Sequence, residues 1–216
     1  MNKNTFWLIT LLFAFSFGFI SCAEETPEVN PYEDWEGCNE LYLDSIVKVA
    51  RNHPADEDWK IYKNYKIEPS NTEGNMVSPV VLTRYDSVYV KVLREGDGII
   101  PMSSDTVSVA YQGFLITGER FDGNYVGKFN PEVQDNFTNF GVSQVIPGWT
   151  TALLYMKEKT IAEIYVPAKM GYGDRATSSI PANSVLKFEV YLDKVIHPKG
   201  PDGRSLKLNK EELVRE

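Results

Sequence analysis

Between Val88 and Leu192 the apolar residues fall at alternate positions in run after run, and a single stretch breaks the rhythm. Val88, Val90 and Val92 alternate with Tyr89 and Lys91, and the same period returns at Val107-Val109-Tyr111, at Ile164-Val166 and along Val185 to Leu192. A period of two puts the apolar side chains on one face of a strand, so these runs predict an antiparallel sheet with one buried face. Glu95-Gly96-Asp97-Gly98 predicts a hairpin-like turn after the first strand. The exception begins at Pro147, where Trp149, Ala152, Leu153 and Met156 recur at i, i+3, i+4 and i+7 and Pro147 suits a first helical turn. One short helix must then cover one curved sheet. The expected fold is α+β, the concave face of the sheet closing on the helix and Trp149 lying at the mouth of the core.

The chain has 216 residues, enough for such a domain of roughly 100 residues and an extension. The extension precedes Pro79. From Trp35 to Asn52, the residues Leu43, Ile46, Val47 and Ala50 share one helix face, and Asn52-His53-Pro54 supplies a stop. A second, shorter helix is expected from Asp56, with Trp59 and Tyr62 on one side, before the break at Pro69 and the polar run Ser70 to Asn75. The aromatics Trp35, Trp59, Tyr62 and Tyr65 either pack against the following domain or offer a partner surface.

At the N-terminus Lys3 precedes an unbroken apolar stretch, Phe6 to Ile20, and Ser21-Cys22 opens onto Ala23-Glu24-Glu25. The stretch is shorter than the roughly 18 residues of a membrane-spanning helix and has the layout of a secretory signal. Cys22 is then the lipidated first residue of the mature protein. The alternative is an ordinary signal peptide that leaves Cys22 free to pair with Cys38 in an oxidising compartment. Ala23 after Cys22 points to the outer membrane, and Ala23 to Pro31 reads as a linker. The expected location is the cell envelope, with membrane attachment through the lipid alone.

A formal charge of -8 argues against a nucleic-acid partner, because such proteins build affinity from clustered Lys and Arg. Cys22, Cys38, His53 and His197 are too few and too scattered for a metal site or a dithiol motif. No cofactor is expected.

Val109-Ala110-Tyr111-Gln112-Gly113, Arg120-Phe121-Asp122, Gln144-Val145-Ile146-Pro147-Gly148-Trp149, Gly171-Tyr172-Gly173, Ile180-Pro181-Ala182-Asn183 and Leu186-Lys187-Phe188-Glu189-Val190 occur in the order and spacing of the FKBP-type peptidyl-prolyl cis/trans isomerases. The chain resembles that family from about Tyr89 to Ile196. The resemblance implies a five- or six-stranded half-barrel around a short helix, with an apolar pocket between them. Its floor is expected at Trp149 and its walls at Tyr111, Phe121, Val145, Ile146 and Phe188, with Tyr172 and Ile180 supplied by a long loop and Asp122 at the rim. It also implies that the Ile146 N–H and the Tyr172 hydroxyl donate to a bound ligand, that proline-containing polypeptides are the substrates, and that a macrolide could bind. One further wall is open between Thr138 and Phe140. The insertion Gly123 to Asn136 is either a bare loop or a partial cover of the pocket.

These readings divide the chain into a signal peptide (1–21), a lipidated cysteine and linker (22–32), a helical extension (33–85), an isomerase domain (86–197) and a polar tail (198–216). The expected function is isomerisation of X-Pro bonds in exported proteins by a membrane-anchored lipoprotein. The alternatives are a catalytically weak peptide- or protein-binding module of the same fold and a purely structural lipoprotein. The oligomeric state is not legible.

Overall fold

The computed structural model describes residues 30, 32–67 and 81–199. The expected signal peptide, Cys22 and the tail beyond residue 199 lie outside them. The Asp34 carboxylate accepts the Gly37 N–H at 3.1 Å, satisfying one of the donors that a helix start leaves open. Helix α1 (Trp35–Asn52) follows and buries Leu43, Ile46, Val47 and Ala50 as expected. It ends at His53, held extended by Pro54.

A strand, β1 (Asp58–Lys63), stands where the second helix was expected. It pairs antiparallel with β2 (Ser87–Arg94), Trp59 opposite Lys91 and Tyr62 opposite Val88. A spacing of three reads as one face of a helix but as opposite faces of a strand. Trp59 turns to the side where α1 packs, stacking on Tyr165 at 5.6 Å. Tyr62 packs against the main core and stacks on Tyr155 at 4.3 Å. The N-terminal extension is therefore a helix plus an edge strand of the sheet, and it is not wholly helical.

The other strands are β3 (Thr106–Phe114), β4 (Arg120–Gly123), β5 (Thr138–Gly141), β6 (Ile161–Val166) and β7 (Leu186–Ile196). Their order is β1-β2-β6-β7-β3-β4, with β5 pairing β3 beside β4, and every pairing is antiparallel. The sheet thus has 7 strands, not five or six. Because β6 and β7 separate β2 from β3, Glu95-Gly98 opens a crossing connection and not a hairpin. The Gly96 N–H donates to Thr160 Oγ1 at 3.0 Å, and a Cβ at Gly96 would stand 1.8 Å from the Glu158 carbonyl oxygen. Glycine is needed there for close backbone approach rather than for a tight turn.

The two faces of the sheet carry different helices. Val88, Val90, Ile164, Val166, Phe188, Val190 and Leu192 close on helix α2 (Pro147–Leu153) with Trp149, Ala152 and Leu153. Met156 lies beyond the end of α2 yet remains buried in the same core. On the outer face Tyr89 and Tyr165 meet the apolar side of α1. The insertion 123–136 also lies on that outer face. Gln112 Nε2 donates to the Gly127 carbonyl at 2.9 Å, and Phe129 packs on Tyr191 at 4.9 Å. Gln112 and Tyr191 both point away from α2, so the insertion they hold does not cover the cleft beside Trp149.

Candidate functional site

At the open edge of the concave face lies a cleft of about 260 Å³, lined by Tyr111, Phe121, Asp122, Phe140, Gln144, Val145, Ile146, Trp149, Tyr172 and Phe188. Pro147 sits in the first turn of α2 and sets its start. One turn of helix then drives Trp149 into the core, 3% exposed. Tyr111 from β3 and Phe188 from β7 meet its indole edge-on, each at 5.3 Å and 86°. Phe140 from β5 completes the ring at 5.8 Å from Trp149 and 5.6 Å from Tyr111. Perpendicular contacts of this kind contribute about 0.5–1.5 kcal/mol each beyond burial, so the floor is rigid before any ligand enters.

Phe121 on β4 stands edge-on to Phe188 at 5.6 Å. Both rings lie over Gly113 of β3, where an added Cβ would come within 2.6 Å of the Phe121 ring. The glycine of the Tyr111-Gln112-Gly113 motif leaves the space into which that wall folds.

The polar groups stand at the rim. The Tyr111 hydroxyl donates to Asp122 Oδ2 at 2.9 Å, and Asp122 Oδ1 accepts the Gly123 N–H at 2.7 Å. Burial, this hydrogen bond and the carboxylate's charge hold the Tyr111 phenol protonated far above its ordinary value. Tyr111 is therefore a fixed donor throughout the ordinary pH range, and Asp122 is oriented from two sides. Ile146 precedes a proline and is kept extended (φ -56°, ψ 148°). Among the described residues its N–H donates to no protein acceptor. Tyr172 is 42% exposed on the loop after β6. The Trp149 Nε1–H is buried and has no hydrogen-bond partner among the described residues, a state that costs about 1–3 kcal/mol and is uncommon in native cores.

Eight of the nine pocket residues expected from the sequence line this cleft. Ile180 does not. It is 4% exposed and packed into the core, drawn inward because the loop closes on itself through Thr177 N–H to the Ile180 carbonyl at 2.8 Å and Ile180 N–H to Thr177 Oγ1 at 3.0 Å. Phe140, and not Thr138, forms the wall left open by the sequence. Thr138 Oγ1 accepts instead from Asn124 Nδ2 at 3.0 Å. Gln144, which opens the motif that ends in Trp149, also lines the cleft. Cys22 lies outside the described residues. Among those residues no helix is long and apolar enough to cross a membrane.

Residues 98–193 match the family model described as FKBP-type peptidyl-prolyl cis-trans isomerase. The FKBP-type peptidyl-prolyl cis-trans isomerase FkpA of Aeromonas hydrophila is 30% identical over 165 residues, 76% of this chain and 56% of its own length. Outer membrane protein MIP of Legionella longbeachae is 35% identical over 139 residues, 61% of this chain and 57% of its own. Peptidyl-prolyl cis-trans isomerase Mip of Coxiella burnetii is 38% identical over 123 residues, 56% of this chain and 50% of its own. The chain spans about half the length of the curated relatives it matches. The crystal structure of FkpA from Escherichia coli superposes with a TM-score of 0.53 and 22% identity, covering 91% of this chain and 83% of that one. At that identity the likeness speaks for the fold.

Proposed function

Residues 98–193 form a domain of the FKBP-type peptidyl-prolyl cis-trans isomerase family, and we propose that the chain speeds cis/trans exchange of X-Pro bonds by binding proline in the Trp149 cleft. The observation that carries this reading is the ring of Tyr111, Phe140 and Phe188 standing edge-on around Trp149. With Phe121, Val145 and Ile146 it makes a slot with an aromatic and aliphatic floor and sides, and Asp122, Gln144 and Tyr172 supply its polar edge. Its volume of about 260 Å³ lies just under the ~300–1,000 Å³ of pockets for drug-sized ligands, which suits one side-chain ring and its flanking backbone.

The chemistry needs no bond made or cut. The X-Pro amide is planar because resonance separates charge across it, and uncatalysed exchange takes tens to hundreds of seconds. An apolar slot penalises that planar, polar form more than the twisted one, which lowers the barrier. In this reading the Ile146 N–H and the Tyr172 hydroxyl hold the substrate backbone, and each ~1.4 kcal/mol gained only in the twisted geometry is tenfold in rate. The Tyr111–Asp122 pair keeps the rim polar and fixed. Substrates are proline-containing polypeptides.

We also place this activity at the cell envelope, on exported proteins and from a lipid anchor on Cys22. The Lys3, Phe6–Ile20 and Ser21-Cys22 pattern supports that reading, as does a relative named as an outer membrane protein. Loss of radiolabelled palmitate incorporation in Cys22→Ala is its test, and labelling that persists in that variant refutes it.

The isomerase reading is tested by NMR exchange spectroscopy of a short X-Pro peptide. Acceleration by the protein is expected to fall in Tyr172→Phe and in Asp122→Ala. A folded protein that leaves the exchange rate unchanged overturns the reading and favours a peptide-binding module.

A further inference from the structure

Helix α1 packs on the outer face of the sheet, yet its first two turns reach the loop that carries Tyr172. Asn39 is 1% exposed. Its Oδ1 accepts the Val185 N–H at 2.7 Å across 146 residues of sequence, while its Nδ2 donates to the Trp35 carbonyl at 2.7 Å. One turn earlier the Trp35 indole N–H donates to Ser184 Oγ at 3.1 Å, and Ser184 Oγ donates in turn to the Pro181 carbonyl at 2.6 Å. Trp35 is stacked on Tyr32 at 5.0 Å, and the Tyr32 hydroxyl donates to Glu119 Oε2 at 2.8 Å, directly before Arg120-Phe121-Asp122. One short stretch of the extension thus holds both the loop bearing Tyr172 and the turn leading to Phe121.

The anchored end of the loop is joined to the residue after Tyr172 by a backbone bond. The Asn183 N–H donates to the Gly173 carbonyl at 2.8 Å, and both residues are in the left-handed region, at φ 58° and 64°. Apolar packing from the helix meets the loop at Val185, buried in one cluster with Leu43, Ile46 and Val47, and does not extend to Gly173 and Asn183. A cleft of about 280 Å³, lined by Glu36, Glu40, Gly173 and Asn183 among others, separates the helix from this part of the loop. The helix holds the loop through this packing and through the hydrogen bonds above, and removing the Asn39 side chain leaves a buried Val185 N–H without an acceptor.

We propose that Asn39 and Trp35 are positioning residues for the proline cleft: through Ser184, Val185 and the Asn183–Gly173 link they fix where Tyr172 stands over it. The part concerning turnover rests on the isomerase reading above. The N-terminal extension then belongs to the site's supporting frame. A substrate donor held loosely binds more weakly, so the effect should appear in KM; a variant that merely unfolds a fraction of the molecules lowers apparent kcat and leaves KM alone.

The test compares Asn39→Ala, Asn39→Asp and Ile46→Ala in the full chain. Ile46 lies further along α1 in the apolar cluster with Trp59, Tyr89 and Val185, so its truncation weakens the helix's packing while keeping the Asn39 and Trp35 bonds to the loop. Amide hydrogen exchange over 172–185 and the kcat and KM of X-Pro exchange are the readouts. Asn39→Ala is expected to speed exchange at Asn183 and to raise KM about tenfold, within the range that small misplacements produce. Asn39→Asp, which keeps the acceptor for Val185, should recover most of both; Ile46→Ala should leave both at wild type whatever it does to melting. Loop protection and KM unchanged in Asn39→Ala, or shifted as far in Ile46→Ala, overturn the proposal. If Asn39→Ala does not fold, Trp35→Phe decides in its place, since it keeps the ring stack and loses only the bond to Ser184. If the wild-type protein shows no isomerisation, the isomerase reading fails, and loop exchange alone still decides the positioning.

Discussion

Replacing Asp86 by Asn should weaken the fold by an amount that depends on pH in a calculable way. Asp86 is 6% exposed in the turn directly before β2. Its carboxylate accepts from Lys169 Nζ at 2.6 Å, from the Thr83 hydroxyl at 2.7 Å and from the Thr83 N–H at 2.9 Å. The Lys169 bond and then the Thr83 bonds outweigh burial and pull its pKa from the ordinary 3.8 to about 2. A group whose folded pKa is depressed contributes stability above its unfolded pKa and loses it as pH falls through the folded one. A shift of this size corresponds to roughly 2 to 3 kcal/mol at pH 7, about half of that at pH 3 and little at pH 2. Lys169 is 65% exposed, so salt screens its share and about 2 kcal/mol is expected at pH 7 in ordinary buffer. Urea unfolding followed by tryptophan fluorescence, wild type against Asp86→Asn at pH 7 and pH 3, measures the gap. It should narrow by about 1 kcal/mol between the two, as the linkage requires. A gap constant to within ~0.3 kcal/mol would refute the reasoning, because the stabilisation would then owe nothing to the carboxylate's charge.

Three further substitutions separate the cleft from its surroundings. Phe140→Ala should reduce kcat/KM of X-Pro exchange by about tenfold or more, the loss of two edge-on ring contacts of ~0.5–1.5 kcal/mol each. Thr138→Ala, on the same face of β5 but bonded to Asn124 and outside the lining of the cleft, should leave kcat/KM near wild type. Gly113→Ala brings a methyl to 2.6 Å from the Phe121 ring. Phe121 is only half-buried and can swing aside, so peptide affinity by NMR titration should fall severalfold while the melting temperature drops by less than overpacking's usual ~1–3 kcal/mol would give. An unchanged affinity would show that the Phe121 wall is not set by Gly113.

Much of this molecule was legible because its core is periodic. The buried face of α1, the four alternating runs and the Pro147 helix all follow from which side chains must leave water. What was missed rests on long-range pairing. Trp59 and Tyr62 are three apart, a spacing that serves a helix face or two faces of a strand equally, and only the ladder to β2 decides it. The glycines at 96 and 98 look like a turn, and nothing local reveals that β6 and β7 lie between the strands they follow and precede. At the site, the motifs located the rings of the cleft, whereas Ile180, expected on its wall, packs into the core beside the turn closed by its bonds to Thr177. The hold of Asn39 on Val185 spans 146 residues and leaves no trace in either segment.

The pairing of β3 with β7 has a temporal side as well. Tyr111 and Phe188 sit on strands that lie alongside each other from Thr106 to Ile196, yet far apart in the order of synthesis. At ~5–20 residues per second, about 4 to 15 seconds pass between the making of one and of the other. Meanwhile β4 and β5 can fold back locally onto one edge of β3, leaving its other edge as an open row of backbone donors and acceptors that invites wrong partners. Closure waits for a non-local strand, the slow kind of step. A nascent chain therefore has the Tyr111–Asp122 rim well before it has a cleft, and until β7 docks it is itself the kind of client that a folding helper serves.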